Sequence, residues 1–318
     1  MKFMARRKSN KIEPSVLTMT FSDTVIGGGS SDAYIDLSQV ASIMNRRFYR
    51  QGLNWAVAGI KILSSGGSTG YVVVRKLQNT WITSGSWEKT MRHWLKQQND
   101  AVRESGVEST VARFRDYKIL MDNDHVIKYN AAGGDLNLTN LLPAGFQTGE
   151  WDASHVVIPN DGVPGTTNEY LLKMYGPSDA SAKGIVEGYS QSRSVPQSPD
   201  PATTGSSSNS WLARMTDVGD DNWGIIGNAQ FENDNLPYDQ DDYPGGAGNF
   251  ASPEIHDQSF ITATTIGGTT RLKGGNFPCG LMKLEILNTG GEPLSVTIQL
   301  DLVPGNHRGF LCEPMTEM

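Results

Sequence analysis

Leu53–Leu63 reads LNWAVAGIKIL and Gly70–Leu77 reads GYVVVRKL, with Ser64–Thr69 (SSGGST) between them. Aliphatic and aromatic residues dominate both runs, and Ser and Gly fill the joint. The stretch is therefore expected to form a long β-hairpin. In its first arm Ala58, Ile60 and Ile62 are expected on one face, with Gly59 and Lys61 on the other. Tyr71–Val74 is apolar on both faces, which places the second arm mid-sheet or beneath another layer. Trp87–Glu104 (WEKTMRHWLKQQNDAVRE) then changes period to that of a helix. Its expected N-cap is Ser84 or Ser86, and Gly106 is its expected C-terminal stop. Trp87, Met91, Trp94, Leu95, Ala101 and Val102 fall on one stripe. The two tryptophans read as core anchors, with base stacking as the alternative.

Working outward, most of the chain reads as strand or loop. Ser15–Val25 alternates Leu17, Met19 and Phe21 with Thr and Ser, a strand with one buried face that the Gly27–Gly29 run ends. Asp36 or Ser38 can cap a short helix over Gln39–Arg47. Further strands are expected at Phe114–Met121, Ser154–Ile158, Tyr170–Tyr175 and Gly184–Tyr189. Ser190–Ser210 is of low complexity, and Ser190–Ser252 reads as one large surface excursion. Near the end, Met282, Leu284 and Ile286 alternate with Lys283 and Glu285. After the joint Asn288–Pro293, Leu294, Val296, Ile298, Leu300 and Leu302 alternate with polar residues. These two runs are expected to pair as an antiparallel hairpin with one dry face. No repeat of solenoid or propeller period is present. Irregular strand spacing with long loops points to an all-β antiparallel sandwich with crossing connections and one inserted amphipathic helix.

Composition narrows the function classes. With 318 residues and 35 glycines, the chain suits one large strand-and-turn domain or two smaller ones. The net charge of −7 argues against a nucleic-acid binder that uses its whole surface. No apolar run approaches the length of a membrane span, and no apolar segment follows the basic start as in a secretory signal. Cys279 and Cys312 lie in no redox or zinc spacing and read as reduced thiols, with a Cys279–Cys312 bridge as the alternative.

The search for reaction motifs is negative: no nucleophile elbow, phosphate loop, zincin helix or EF-hand loop occurs. His93, His125, His155, His256 and His307 are widely spaced, so a histidine metal site would need tertiary convergence; His93 is expected to border the helix core. Asp217, Asp220, Asp221, Glu232, Asp234, Asp239, Asp241 and Asp242 crowd one segment that can hold calcium, although a solvated acidic loop is the favoured reading. Asn137-Leu138-Thr139 is a glycosylation sequon by letter only. Met1–Lys11 carries Lys2, Arg6, Arg7, Lys8 and Lys11 with no acid, and reads as a short arm able to neutralise phosphates.

Asn45-Arg46-Arg47-Phe48-Tyr49-Arg50-Gln51-Gly52, Lys76-Leu77-Gln78-Asn79-Thr80-Trp81, Trp87-Glu88-Lys89 and Trp94 together resemble capsid proteins of small single-stranded DNA viruses, of the kind known from aquatic metagenomes. Pro304-Gly305-Asn306-His307-Arg308-Gly309-Phe310 and Glu313-Pro314-Met315 are similar to the same group. The resemblance covers Arg46–Asp122 and Met282–Met318. It implies a jelly-roll coat protein over residues 15–318, with residues 1–14 as a basic arm and a surface insertion at about 190–252. It also implies self-assembly into an icosahedral shell around a circular genome, and no catalytic residue or cofactor. The implied place is the virion after synthesis in the host cytoplasm, and the implied partners are further copies of the chain, single-stranded DNA and a host surface receptor. The arm is short for this family, which leaves a double jelly roll open. The roughly dozen candidate strands favour a single roll of eight over a double roll of about sixteen. A phage fibre or carbohydrate-binding β-sandwich is the alternative, and a glycoside hydrolase on the same scaffold is the third reading.

Overall fold

The computed structural model describes residues 14–106, 108, 115–131, 141–147, 149, 151–159, 165–191, 252–264 and 268–318. Met1–Lys11, the Asn137-Leu138-Thr139 sequon, and most of Ser190–Ser252 with its acids Asp217–Asp242 lie outside the described residues. In chain order the elements are β1 (Thr18–Val25), β2 (Ser30–Asp36), α1 (Leu37–Asn45), β3 (Leu53–Ser64), β4 (Gly70–Lys76), α2 (Trp81–Ser105) and α3 (Asn123–Ala131). Then come β5 (His155–Pro159), β6 (Thr167–Lys173), β7 (Ala182–Gly184), α4 (Ile185–Gln191), β8 (Glu254–Ile261) and β9 (Thr269–Phe277). The chain ends with β10 (Leu281–Asn288), β11 (Leu294–Leu302), β12 (Pro304–Gly305), β13 (Gly309–Phe310) and β14 (Cys312–Pro314). Among the described residues no helix is long and apolar enough to cross a membrane.

Two antiparallel sheets face each other. In the first, β11 lies between β1 and β3, and β9 pairs with the other edge of β3, while β14 continues along the start of β3. In the second, the order is β2-β10-β4-β8. Met19, Phe21, Ile60, Ile62, Ile298 and Leu300 from the first sheet meet Ile35, Val72, Val74, Leu284 and Ile286 from the second in one core. Burying each such side chain stabilises the fold by about 1.5–3 kcal/mol. The protein is thus a mostly-β sandwich.

Neither expected hairpin exists. β3 and β4 lie in opposite sheets, and so do β10 and β11. The alternation itself is correct: Leu294, Val296, Ile298, Leu300 and Leu302 are all buried, and the residues between them are not. Alternation marks a dry face but not which strand shares its hydrogen bonds. In a hairpin both dry faces point the same way and need a third element to cover them. Carrying the chain across to the other sheet turns the dry faces toward each other, and each covers its partner. β1 with β2 and β8 with β9 also cross between sheets. Three of these crossings meet at one end, where Gly28 N donates to Gly290 O (2.9 Å) and Thr289 N to Thr69 O (3.0 Å).

Ala58 points outward, against expectation, while Val57 and Ile60 are buried. Between Leu302↔Val57 and Asp301↔Gly59 the register shifts, so one extra residue of β3 bulges and the face alternation restarts. β4 lies mid-sheet between β10 and β8, as its two apolar faces suggest.

The sequence between β4 and β8 adds a third layer. Trp87 and Trp94 of α2 pack with Tyr117, Met174 and Tyr175 onto Tyr34 and Leu281, residues on the outer face of the second sheet. The tryptophans are therefore core anchors, each in a tilted or edge contact with the Tyr117 ring at 5.6–5.7 Å. α2 begins earlier than expected, capped by Thr80, whose Oγ1 accepts from Thr83 N. Ser84 and Ser86 lie inside the helix and return their hydroxyls to the carbonyls of Trp81 and Thr83. Gly106 does end the helix, with φ 69°. His93 is exposed and Ala101 is too, so the stripe is narrower than the sequence suggests. The helix is not alone. Residues 185–189, expected as strand, are the start of α4, and α3 follows Asp122, whose carboxylate accepts from His125 N at 2.9 Å. Both cysteines are free thiols, Cys279 buried and Cys312 half-buried.

Asn288 holds the crossings together. Its buried amide donates to the carbonyls of Val25, Ile26 and Glu292 (2.8–3.2 Å) and accepts from Gly290 N at 2.9 Å. Asn288→Ala strands these backbone groups and is expected to cost about 1–3 kcal/mol in urea denaturation.

Candidate functional site

The corner between α1 and β3 gathers cations. Asp36 caps α1, its carboxylate accepting from Ser38 N (2.9 Å) and Gln39 N (3.3 Å), and Arg46 ends the helix with φ 52°. From there the chain alternates. Tyr49 is buried, its hydroxyl donating to Arg308 O at 2.8 Å and its ring set against Trp55 and Phe310. Arg50 is exposed, and Gln51 is buried. The Gln51 amide donates to Asp36 Oδ2 (3.3 Å) and Ile119 O (2.9 Å) and accepts from Ile119 N (2.6 Å). That clamp fixes residues 115–119 beside the start of β3 and delivers Arg115 to the same corner. Arg308 comes from the loop between β12 and β13, with φ 50° and its guanidinium on Phe48 O; Arg47 Nη1 donates to Arg308 O.

Arg50, Arg115 and Arg308 rim a cavity of about 470 Å³. Met91, Leu95 and Trp87 of α2 line one wall, and Leu53 and Tyr117 line the other side. Gly52 makes this wall sterically feasible, because a Cβ there would lie 2.4 Å from the Trp87 ring. Asp116 also lines the cavity. Burial pushes its carboxyl up to about 7; Lys118 and Arg50 pull the other way, and Asp36 adds to the rise. Guanidinium groups above an apolar and aromatic wall bind anions and planar rings.

A second charged cluster sits on the outer face of the second sheet. The Lys283 ammonium lies 3.0 Å from Asp124, 3.6 Å from Asp122, 3.5 Å from Glu285 and 3.8 Å from Asp32. Burial would lower its pKa, but Asp122, Asp124 and Asp32 outweigh burial and hold it above the ordinary lysine value. The lysine occupies the centre that a free cation would take, and it ties α3 to β10.

Of the residues singled out in the sequence, Lys2, Arg6, Arg7, Lys8 and Lys11, and the acids Asp217–Asp242, lie outside the described residues. The histidines stay dispersed: His125 stacks on Tyr34 at 4.0 Å, and His256 bonds to Lys273 O through Nε2 (2.9 Å). Among the described residues no three His, Cys, Asp or Glu converge as metal ligands. Sequence reasoning missed Arg50, Arg115 and Arg308 as a group. The run Arg46-Arg47-Phe48-Tyr49-Arg50 was the available signal; the other two arginines arrive only through tertiary packing. No family model, no curated protein and no solved structure matches the chain.

Because the folded Asp116 binds its proton more tightly than the unfolded chain does, its contribution falls as pH rises from about 4 to about 7. Asp116→Asn cannot ionise. It is expected to flatten that decline and to be at least as stable as the parent at pH values above about 7 in urea denaturation.

Proposed function

We propose that the chain is a coat protein, a single jelly roll whose copies assemble into an icosahedral shell around single-stranded DNA. The observation that carries this reading is strand order. Taking the sandwich strands in chain order, β1, β2, β3, β4, β8, β9, β10 and β11, the sheets run first-eighth-third-sixth and second-seventh-fourth-fifth. Two nested Greek keys wound in this order make an eight-stranded jelly roll, an architecture that viral capsids share with lectins and cupins. The choice among these rests on the site and surface, not on the fold.

Three features favour the shell. The third layer stiffens one face of the sandwich with α2 and its tryptophans. Away from that layer the outer face of the second sheet carries an apolar patch, with Phe260 75% exposed beside Tyr71 (37%) at a ring distance of 6.2 Å. An exposed aromatic pair of this kind suits a contact repeated between copies. The resemblance of Arg46–Asp122 and Met282–Met318 to coat proteins points the same way. In this reading Lys2, Arg6, Arg7, Lys8 and Lys11 face the interior.

Electron microscopy of the purified protein is expected to show uniform closed particles. A species that stays monomeric across salt and calcium conditions overturns the proposal. Discrete trimers that bind glycans would instead favour the fibre or carbohydrate-binding reading. Phe260→Glu is expected to abolish or strongly lower particle yield while changing monomer stability by no more than about 0.5 kcal/mol, as for other surface substitutions.

A further inference from the structure

We infer that the arginine corner is a single-stranded nucleic-acid interface, in which Arg46, Arg50 and Arg308 hold backbone phosphates and the cavity at the rim takes an unstacked base. The inference rests on the coat-protein reading for its biological occupant, and on charge and geometry for its location.

Charge comes first. Some basic side chains find carboxylates, Lys61 with Asp301, Arg75 with Glu285, Arg103 with Asp100 and Lys173 with Asp179, while Lys96, Arg271 and Lys273 make no salt bridge among the described residues. Acids outnumber bases in this chain, 34 to 27. Yet Arg46, Arg50 and Arg308 make no salt bridge among the described residues. Three exposed guanidiniums on neighbouring segments, none of them in a salt bridge, offer a cationic surface to an anion from outside.

Backbone strain points to the same residues. Arg46 and Arg308 both adopt left-handed φ, and Cys279 is the one other non-glycine to do so among the described residues. Glycine would occupy either position at lower energy. Strained conformations of this kind concentrate where function requires the side chain.

Ser15 Oγ donates to Gly309 O (3.2 Å) and Val16 N to Asn45 Oδ1 (2.8 Å), so Ser15 and Val16 lie beside the segments that carry Arg46 and Arg308. The sequence before Ser15 carries Lys2, Arg6, Arg7, Lys8 and Lys11 without an acid up to residue 11.

The cavity selects a single strand. Its volume, about 470 Å³, lies within the range of small-ligand sites. A base in a duplex is stacked and cannot enter; an unstacked base can, and Arg50, Arg115 and Arg308 offer planar guanidiniums to its face. Asp116 beside the cavity disfavours a phosphate inside and suits the amino group of a base, which keeps phosphates at the rim.

The test is fluorescence anisotropy with labelled oligothymidylate on the full chain, over a salt series. Arg50→Gln with Arg308→Gln is expected to weaken binding about tenfold at low salt and to reduce the salt slope by about 1.4, at about 0.7 per phosphate contact. Arg46→Gly is expected to weaken binding while leaving the unfolding temperature equal or higher, since it relieves the left-handed strain; a merely structural arginine would lower it. A duplex of the same length is expected to bind more weakly than the single strand, and oligouridylate distinguishes RNA from DNA. Unchanged affinity and slope in the double variant overturns the inference. So does lost particle assembly with intact oligonucleotide binding, which would mark the corner as a contact with an acidic segment of a second copy. A chain that binds through these arginines and never assembles refutes the shell and keeps the interface. One that assembles with binding untouched by the variants does the reverse.

Discussion

Asp36 is a fully buried carboxylate with no cation paired to it among the described residues, and much of the molecule is arranged to satisfy it. It accepts from Ser38, Gln39, Gln51 and the Trp151 indole (3.2 Å). Burial still dominates and raises its pKa above the ordinary aspartate value. These donors come from three parts of the fold. Ser38 and Gln39 start α1, Gln51 leads into β3 and grips Ile119, and Trp151 sits in a separate cluster with Tyr129 and Leu171. One side chain therefore sets the sandwich, the α2 layer and the α3 layer in mutual register. Losing it would leave several buried donors without an acceptor, the costly half of the hydrogen-bond asymmetry.

The same network explains why the arginines stand where they do. With Tyr49 and Gln51 pinned inward, extended backbone leaves Arg50 only the outward direction. Gln51 holds the segment that carries Arg115, and Tyr49 holds the carbonyl of Arg308. Three guanidiniums from segments far apart in sequence are thus brought to one rim by buried neutral groups, with no salt bridge among them. The second sheet shows the opposite solution. There Lys283 is drawn under the third layer and surrounded by acids, whereas Phe260 and Tyr71, beyond the reach of that layer, stay open.

What the sequence reveals depends on which physical signal a residue carries. Burial periodicity was legible: β1, β10 and β11 bury the residues their alternation predicts, and Trp87 and Trp94 anchor a core. Pairing was not, because Leu53–Leu77 and the Met282–Leu302 stretch have the same letters whether the joint makes a hairpin or crosses between sheets. That choice is decided by β9 and β2, whose weak alternation gave no strand signal. β9 contains Gly274 and Gly275, and β2 holds Ser30, Ser31 and Asp32 before its buried end. Helices α3 and α4 escaped notice for a related reason: each is short, with local preferences that tertiary packing overrides. Of the site, only the run from Arg46 to Arg50 is contiguous; the left-handed φ of Arg46 and the approach of Arg115 and Arg308 to Arg50 exist only in three dimensions.

The position of β11 carries a consequence for timing. It lies between β1 and β3, with Thr18 opposite Asp301 and Ile60 opposite Leu300. β1 must therefore wait for one of the last described strands before its ladder forms. At ribosomal rates that interval is on the order of tens of seconds, during which β1 and β3 expose unpaired backbone and apolar faces. Long-range pairing of this kind folds slowly and invites aggregation. It also means that the first sheet of the sandwich cannot close before β11 has left the ribosome, so a truncated chain lacking β11 lacks the strand that joins β1 to β3.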